Sequence, residues 1–386
     1  MPLTLRIGKD ASLGALEDKI LQIAHHGRGP STVWLAADTQ KYFFEETRIA
    51  SLLATAARAG PLTIVDWSGG EDSDRAKSRF RTTPDGLAAV VYSGDLRTVK
   101  SGNVDFEGRD LVATVIDQGG LAEARPSEIG KNAPTSSLTI CAFDDQQPEP
   151  LVFAGIYDLA RFISKIQTLR RSHFEVGIGA GYAGRIGGEA DRQLAIFIYE
   201  LYQNTYFHGR RDSRHAIIKP GMRYIRLKRH IGVRQSQFTE KASGFTELQE
   251  YMEKTVPPKG QFAFWEVTVS DHGIGIVDRF LATRPEYRSE ASTYEGRVTL
   301  ANRIINEALS SNLSLSGAGY GIRNALAASD KLRGFTSVRS GDLWLYHSSV
   351  TTKDTPWLNP VSVSGQLGRS AGTQFSMLFP LSEQYT

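Results

Sequence analysis

The sequence predicts a two-domain α/β protein. Three observations carry that expectation. Strand-like and helix-like runs alternate from the start of the chain. The composition, 40% hydrophobic and 23% charged, is that of an ordinary globular protein. Two polar, turn-rich stretches divide the 386 residues near position 150. A chain of this length supports two to three domains at about 150 residues each, and it can bury a core without disulfide or metal staples.

The elements follow in order. Ser31 to Ala37 suits a short buried strand. Glu45 to Ala59 carries apolar residues at helical spacing, and Gly60 and Pro61 stop it. Leu62 to Trp67 is a second strand, and strand, helix, strand with short connections describes a parallel α/β unit. Leu87 to Tyr92, Leu111 to Ile116 and Leu138 to Phe143 are further strand-like runs. Arg125 to Ser137 and Asp144 to Pro150 read as linkers. They give a smaller α/β module over residues 1–150 and a second domain over 151–386. The second domain opens with helical patterning from Tyr157 to Arg170. A glycine-rich stretch follows from Gly177 to Gly188, then a periodic helix from Glu189 to His208. Tyr224 to Val233 alternates as a half-buried strand, and Phe262 to Ser270 is another. Gly321 to Lys331 reads as a helix. Phe335 to His347 reads as a hairpin turning at Ser340-Gly341-Asp342, and Thr373 to Phe379 as a final strand.

Composition excludes several classes. The formal charge of +3 does not imply nucleic-acid or membrane attraction. The single cysteine, Cys141, rules out an intramolecular disulfide framework and a cysteine-based zinc site. No run approaches about 18 consecutive apolar residues, and MPLTLRIGKD lacks a charged-then-apolar signal pattern. A cytoplasmic protein is expected.

Four motifs carry chemistry. Glu200-Leu-Tyr-Gln-Asn204, continuing to His208-Gly209, lies on a helix, with Glu200, Asn204 and His208 four apart on one stripe. Asp271-His-Gly273-Ile-Gly275-Ile276 directly follows a strand. Gly317-Ala-Gly319-Tyr320-Gly321-Ile322 directly precedes a helix. Gly372-Thr373-Gln-Phe375 opens the last strand. These suit a magnesium nucleotide. A strand-end carboxylate accepts a hydrogen bond from an exocyclic amino group and so selects adenine. Glycines after it admit close approach to the backbone. A glycine-rich turn feeding a helix offers N–H groups and a positive dipole end to phosphates. The Asn204 amide oxygen is a hard ligand suited to magnesium, and Glu200, one turn away, could take a proton from an attacking water or hydroxyl.

The ordered set resembles the GHKL, or Bergerat-fold, family of ATP-binding domains shared by gyrase, heat-shock chaperones, histidine kinases and mismatch-repair ATPases. ELYQN matches its N-box, DHGIGI its first glycine box, GAGYGI its second and GTQF its third. The resemblance covers roughly residues 150–386. It implies a sandwich in which helices cover one face of a mixed sheet. It also implies that Asn204 holds magnesium, Glu200 is the general base, Asp271 reads adenine, and Gly317, Gly319 and Gly321 wrap the phosphates. Thr373 helps at the adenine end, and the 46 positions from Asp271 to Gly317 form a mobile ATP lid. Gly273, Gly275, Tyr320 and Ile322 complete the expected nucleotide contacts.

Departures from particular branches narrow the expectation. Eleven residues follow Phe375, which leaves no room downstream for a transducer or chaperone middle domain. No histidine with the context of a phospho-acceptor lies upstream, so a histidine autokinase is not expected. The His208-Gly209 ending resembles anti-sigma-factor serine kinases, and the N-terminal strand–helix–strand resembles STAS-type domains. The leading expectation is a magnesium-dependent ATPase whose nucleotide state controls contacts with a protein partner or a second copy of the chain. The alternatives are a serine/threonine kinase of the anti-sigma type and a non-hydrolysing nucleotide-gated binding module; the carboxylate at Glu200 argues against the latter. Gly179-x-Gly181-x-x-Gly184 matches a dinucleotide fingerprint, but the acid about twenty positions on, Glu200, lies within a helix instead of at a strand end. Arg223, Arg226, Lys228, Arg229 and Arg234 form a basic cluster that reads first as a solvated strand face and second as a docking site for an acidic or phosphate-rich partner.

Overall fold

A computed structural model gives the fold. It describes residues 2–8, 11–36, 43–66, 80, 82–93, 95–98, 121–124, 135–144, 158–170, 188–233, 242–256, 262–306, 321–351, 358–363 and 365–380. The chain is mixed α/β, built around two sheets. The smaller sheet takes β1 (Leu3–Ile7), β2 (Ser31–Leu35), β3 (Leu62–Asp66) and β4 (Asp95–Thr98) in sequential order, all parallel. The crossovers carry α1 (Leu13–His26), α2 (Glu45–Ala59) and α3 (Pro84–Tyr92). Local chemistry sets their ends. The Ser12 hydroxyl accepts from the Ala15 N–H at the start of α1, and Gly27, at positive φ, follows its last residue.

Residues Leu87 to Tyr92, expected as a strand, are the body of α3. The Thr83 hydroxyl accepts from the Gly86 N–H, and Pro84 sits in the first turn, which is a helix start. The apolar run that follows has no period of its own to mark it as strand or helix. The run Leu111 to Ile116 and the glycine-rich stretch before Gly188 lie outside the described residues.

The larger sheet has the order β11-β10-β9-β12-β8-β7-β6-β5. Its strands are β5 (Leu121–Ala124), β6 (Thr135–Phe143), β7 (Met222–Val233), β8 (Phe262–Asp271), β9 (Phe335–Gly341), β10 (Leu343–Ser348), β11 (Asn359–Pro360) and β12 (Ser370–Pro380). Every neighbouring pair is antiparallel, which corrects the expectation of a mixed sheet. Two of the strands, β5 and β6, precede residue 150, so this sheet draws on both sides of the expected boundary.

Both faces of the larger sheet are covered, a second correction. One face is apolar. Leu138, Ile140, Ile225, Leu227, Val267, Val269 and Phe375 pack there beneath α4 (Leu159–Arg170), α5 (Gly188–Asn204), α7 (Ile276–Thr283), α8 (Tyr294–Asn306) and α9 (Gly321–Lys331). The opposite face carries α6 (Thr246–Thr255) and the helices of the smaller module. Eleven residues of α2 are buried, on every side of the helix. Such a helix belongs to an interior layer, here between the two sheets.

That covering overturns the solvated reading of the basic strand. Arg226, Lys228 and His230 alternate along β7 toward the smaller module, and all three are buried. Glu46 of α2 accepts from Arg226 at 2.7 Å and from Lys228 at 2.9 Å. His230 lies 2.6 Å from Glu266, whose other oxygen accepts from the Phe44 N–H. Farther along the sheet, Glu17 of α1 pairs with both Arg48 and Arg339. Arg226 and Lys228 thus find their counter-charge in the chain's own N-terminal layer, Arg223 finds it in Asp144, and Arg234 lies outside the described residues.

Of the expected lid, from Asp271 to Gly317, residues 271–306 are described and carry packed helices, and 307–317 lie outside the described residues. Leu300, Ala301 and Ile305 of α8 and Val277 and Phe280 of α7 belong to the apolar core. Among the described residues, no helix is long and apolar enough to cross a membrane.

Candidate functional site

The first half of the site forms where β8 ends. Asp271 pairs laterally with Thr373 of β12 and Arg223 of β7, so it sits inside the sheet, only 5% exposed. Its Oδ1 accepts from the Gly273 N–H at 2.8 Å and from the Thr373 N–H at 3.2 Å. The Asp271–Ile276 and Gly372–Phe375 motifs thus meet on one oxygen atom. Burial pushes the Asp271 carboxyl up to about 6. Asp144 adds to that rise, while the two N–H donors and Arg58 oppose it. Ser340, at the hairpin turn, ties the neighbourhood together. Its hydroxyl lies 3.0 Å from that of Thr373 and accepts from the Ile276 N–H at 2.8 Å, just past Gly275.

The second half is carried by α5 and α9, which pack side by side. Asn204 donates from Nδ2 to the Glu200 carbonyl at 2.9 Å, which leaves its amide oxygen for another ligand. Burial raises the Glu200 carboxyl, and a hydrogen bond from Asn324 at 3.0 Å opposes the rise. Gly321 opens α9 against this pair. A Cβ there would come 3.0 Å from Asn204 Nδ2 and 3.2 Å from Glu200 Oε2. Gly317, Gly319 and Tyr320 lie outside the described residues. Ile322 packs against the apolar core.

The two halves are joined by the turn that follows α5. After Asn204 the helix widens into a π turn over Thr205–Gly209. Gly209 then lies directly on the Asp271 carboxylate, close enough that any side chain there would overlap it, and its carbonyl abuts Gly273 equally closely. His208 within this turn is held down to about 4 by burial, with Arg279 adding to the effect, so it is neutral at pH 7. His272 is buried, its Nδ1 2.7 Å from the Tyr92 hydroxyl of α3, and burial holds it down to about 3.

The Asn204 amide oxygen is a hard donor of the kind magnesium takes. Among the described residues, no three His, Cys, Asp or Glu side chains converge into an all-protein metal cage. The Asn204 atom that faces the Gly321 cradle is Nδ2, beside Glu200 Oε2; a cation held by the Asn204 oxygen would take its remaining oxygens from phosphates and water.

Sequence reasoning missed Asn324, Ser340 and Arg58. Asn324 lies three residues after Gly321, on the same helix face, and that spacing could have flagged it. Ser340 and Arg58 reach the site only through tertiary packing, 64 residues after Ile276 and 215 before Gly273, and nothing local marks them. Comparison of the chain with protein-family models, curated proteins and solved structures finds no match.

Proposed function

We propose that the larger sheet with its α5 and α9 layer is a Bergerat-type domain that binds and hydrolyses magnesium ATP. One observation carries the reading: four motifs scattered over the 176 positions from Glu200 to Phe375 converge, three of them through Asp271, Gly273, Thr373 and Gly209, and the fourth through Gly321 against Glu200 and Asn204. Asp271, ionised above about pH 6, accepts the exocyclic amino group of the purine. The start of α9 offers backbone N–H groups and the positive end of its dipole to phosphate. The Asn204 oxygen would hold the magnesium ion, which when bound supplies charge neutralisation to the phosphates. Glu200 takes the proton of the attacking water, and burial raises its affinity for that proton. Catalysis then rests on positioning and charge, as phosphoryl transfer generally does. A change in the nucleotide would alter contacts with a protein partner or a second copy of the chain.

The test is ATP binding with and without magnesium, followed by product analysis with labelled ATP. Magnesium-dependent release of free phosphate supports the reading. Label appearing on protein would move it to a serine/threonine kinase, with Glu200 activating a hydroxyl. Absence of nucleotide binding under either condition would end it.

A further inference from the structure

The Asp271 loop is gripped from behind by a helix of the smaller module. Arg58, in the last turn of α2, donates through one guanidinium nitrogen to the Gly273 carbonyl at 2.6 Å and through the other to the His272 carbonyl. The geometry of the second bond matters most. The His272 carbonyl and the Gly273 N–H belong to one peptide plane and point in opposite directions. Arg58 therefore holds one end of the plane whose other end donates to Asp271 Oδ1. A positive fork on the carbonyl side also polarises that peptide and strengthens the bond on the N–H side. The rest of α2 is anchored to the same region. The Thr55 hydroxyl accepts from the Ala371 N–H at 2.8 Å, and the Thr47 hydroxyl accepts from Gln374 at 2.6 Å, on either side of Thr373. α3 adds the Tyr92–His272 contact.

We infer that Arg58 is a positioning residue for the purine-reading carboxylate, so that the N-terminal module sets nucleotide affinity through α2. The inference rests on the ATP reading above. Asp271 faces Arg58 and Tyr92 from the smaller module, and Asp144, itself paired with Arg223, from the end of β6. Arg58 is the cation among them that favours the ionised carboxylate. Its removal should let the carboxyl hold its proton to higher pH as well as loosening the loop.

The test uses the full chain and the variants Arg58→Ala and Arg58→Lys, with two measurements. Hydrogen exchange without nucleotide should quicken in Arg58→Ala across residues 272–276 while the rest of the larger sheet keeps its protection. ATP affinity at pH 7 should fall about tenfold, the scale of one charge-assisted hydrogen bond, and the midpoint of its pH dependence should move upward. Arg58→Lys should recover part of the affinity, because it keeps the charge but not the two-pronged fork. Unchanged loop exchange and affinity in Arg58→Ala, with ATP bound normally by the wild type, would overturn the inference and leave the nucleotide reading standing. Lower affinity with an unmoved midpoint and exchange spread along all of α2 would reduce Arg58 to a structural contact. A wild type that binds no ATP would overturn both readings.

Discussion

The two ends of the candidate site are built on opposite principles. The Asp271 end is buried in a sheet and held by backbone: two N–H groups on one oxygen, Gly209 above it and Arg58 behind it. The Glu200–Asn204 end lies between two helices, half-buried, and is held by the Asn204 and Asn324 side chains. Backbone donors inside a sheet fix an acceptor rigidly, which suits reading a base by shape. Side chains on helices can shift by a rotamer, which suits a group that must accept a proton in mid-reaction. Under the proposed ATP reading, this difference puts recognition at one end and turnover at the other, and substitutions should separate the two.

The largest effect is expected at the helical end. Glu200→Ala should lower phosphate release by about 10³-fold, within the range for loss of a general base, while ATP affinity measured by calorimetry changes little. Asp271→Asn should reverse that pattern, weakening ATP binding by roughly 10- to 100-fold. Stability should move the other way. The Asp271 carboxyl sits at about 6 in the fold against 3.8 when unperturbed. Its protonation-linked stability is therefore fully present below about pH 4 and lost as pH rises through about 6. Asparagine keeps the acceptor oxygen without that loss, so thermal unfolding at pH 7 should show a gain of about 1–3 kcal/mol. A variant that gains stability as it loses ligand would mark Asp271 as a group kept for function.

Two smaller effects sharpen the contrast. In Gly321→Ala the new methyl group crowds Asn204 and Glu200. About tenfold slower turnover is expected in a phosphate-release assay, with the Asp271 end untouched. In the wild type, ATP affinity should decline as pH falls through about 6, where Asp271 takes up its proton. A flat profile between pH 5 and 8 would separate Asp271 from base recognition.

Much of the fold was legible in the sequence where one force dominated. Helix Glu45–Ala59 and the hairpin around Ser340–Asp342 stand where periodicity and turn residues put them. The motifs were legible because Gly209, Gly273 and Gly321 are required by close approach, and such requirements surface as spacing. The rest was decided by layers distant in sequence. Arg226 and Lys228 alternate like a solvent-facing strand, and only Glu46, some 180 positions away, shows that they face an interior layer. A charged residue signals a polar environment, and a buried counter-charge supplies one as well as water does. The all-antiparallel order was hidden for the same reason, since strand pairing is a tertiary fact. So was the hold of Arg58 on the Asp271 loop.

The central claim is that one site reads a purine at Asp271 and acts on its phosphates at Glu200. It is tested most directly by measuring ATP affinity and magnesium-dependent phosphate release side by side for the wild type, Asp271→Asn and Glu200→Ala. Affinity should be lost only in the first variant, and turnover should be lost in the second while ATP stays bound. Equal affinity and equal phosphate release in all three proteins would contradict it.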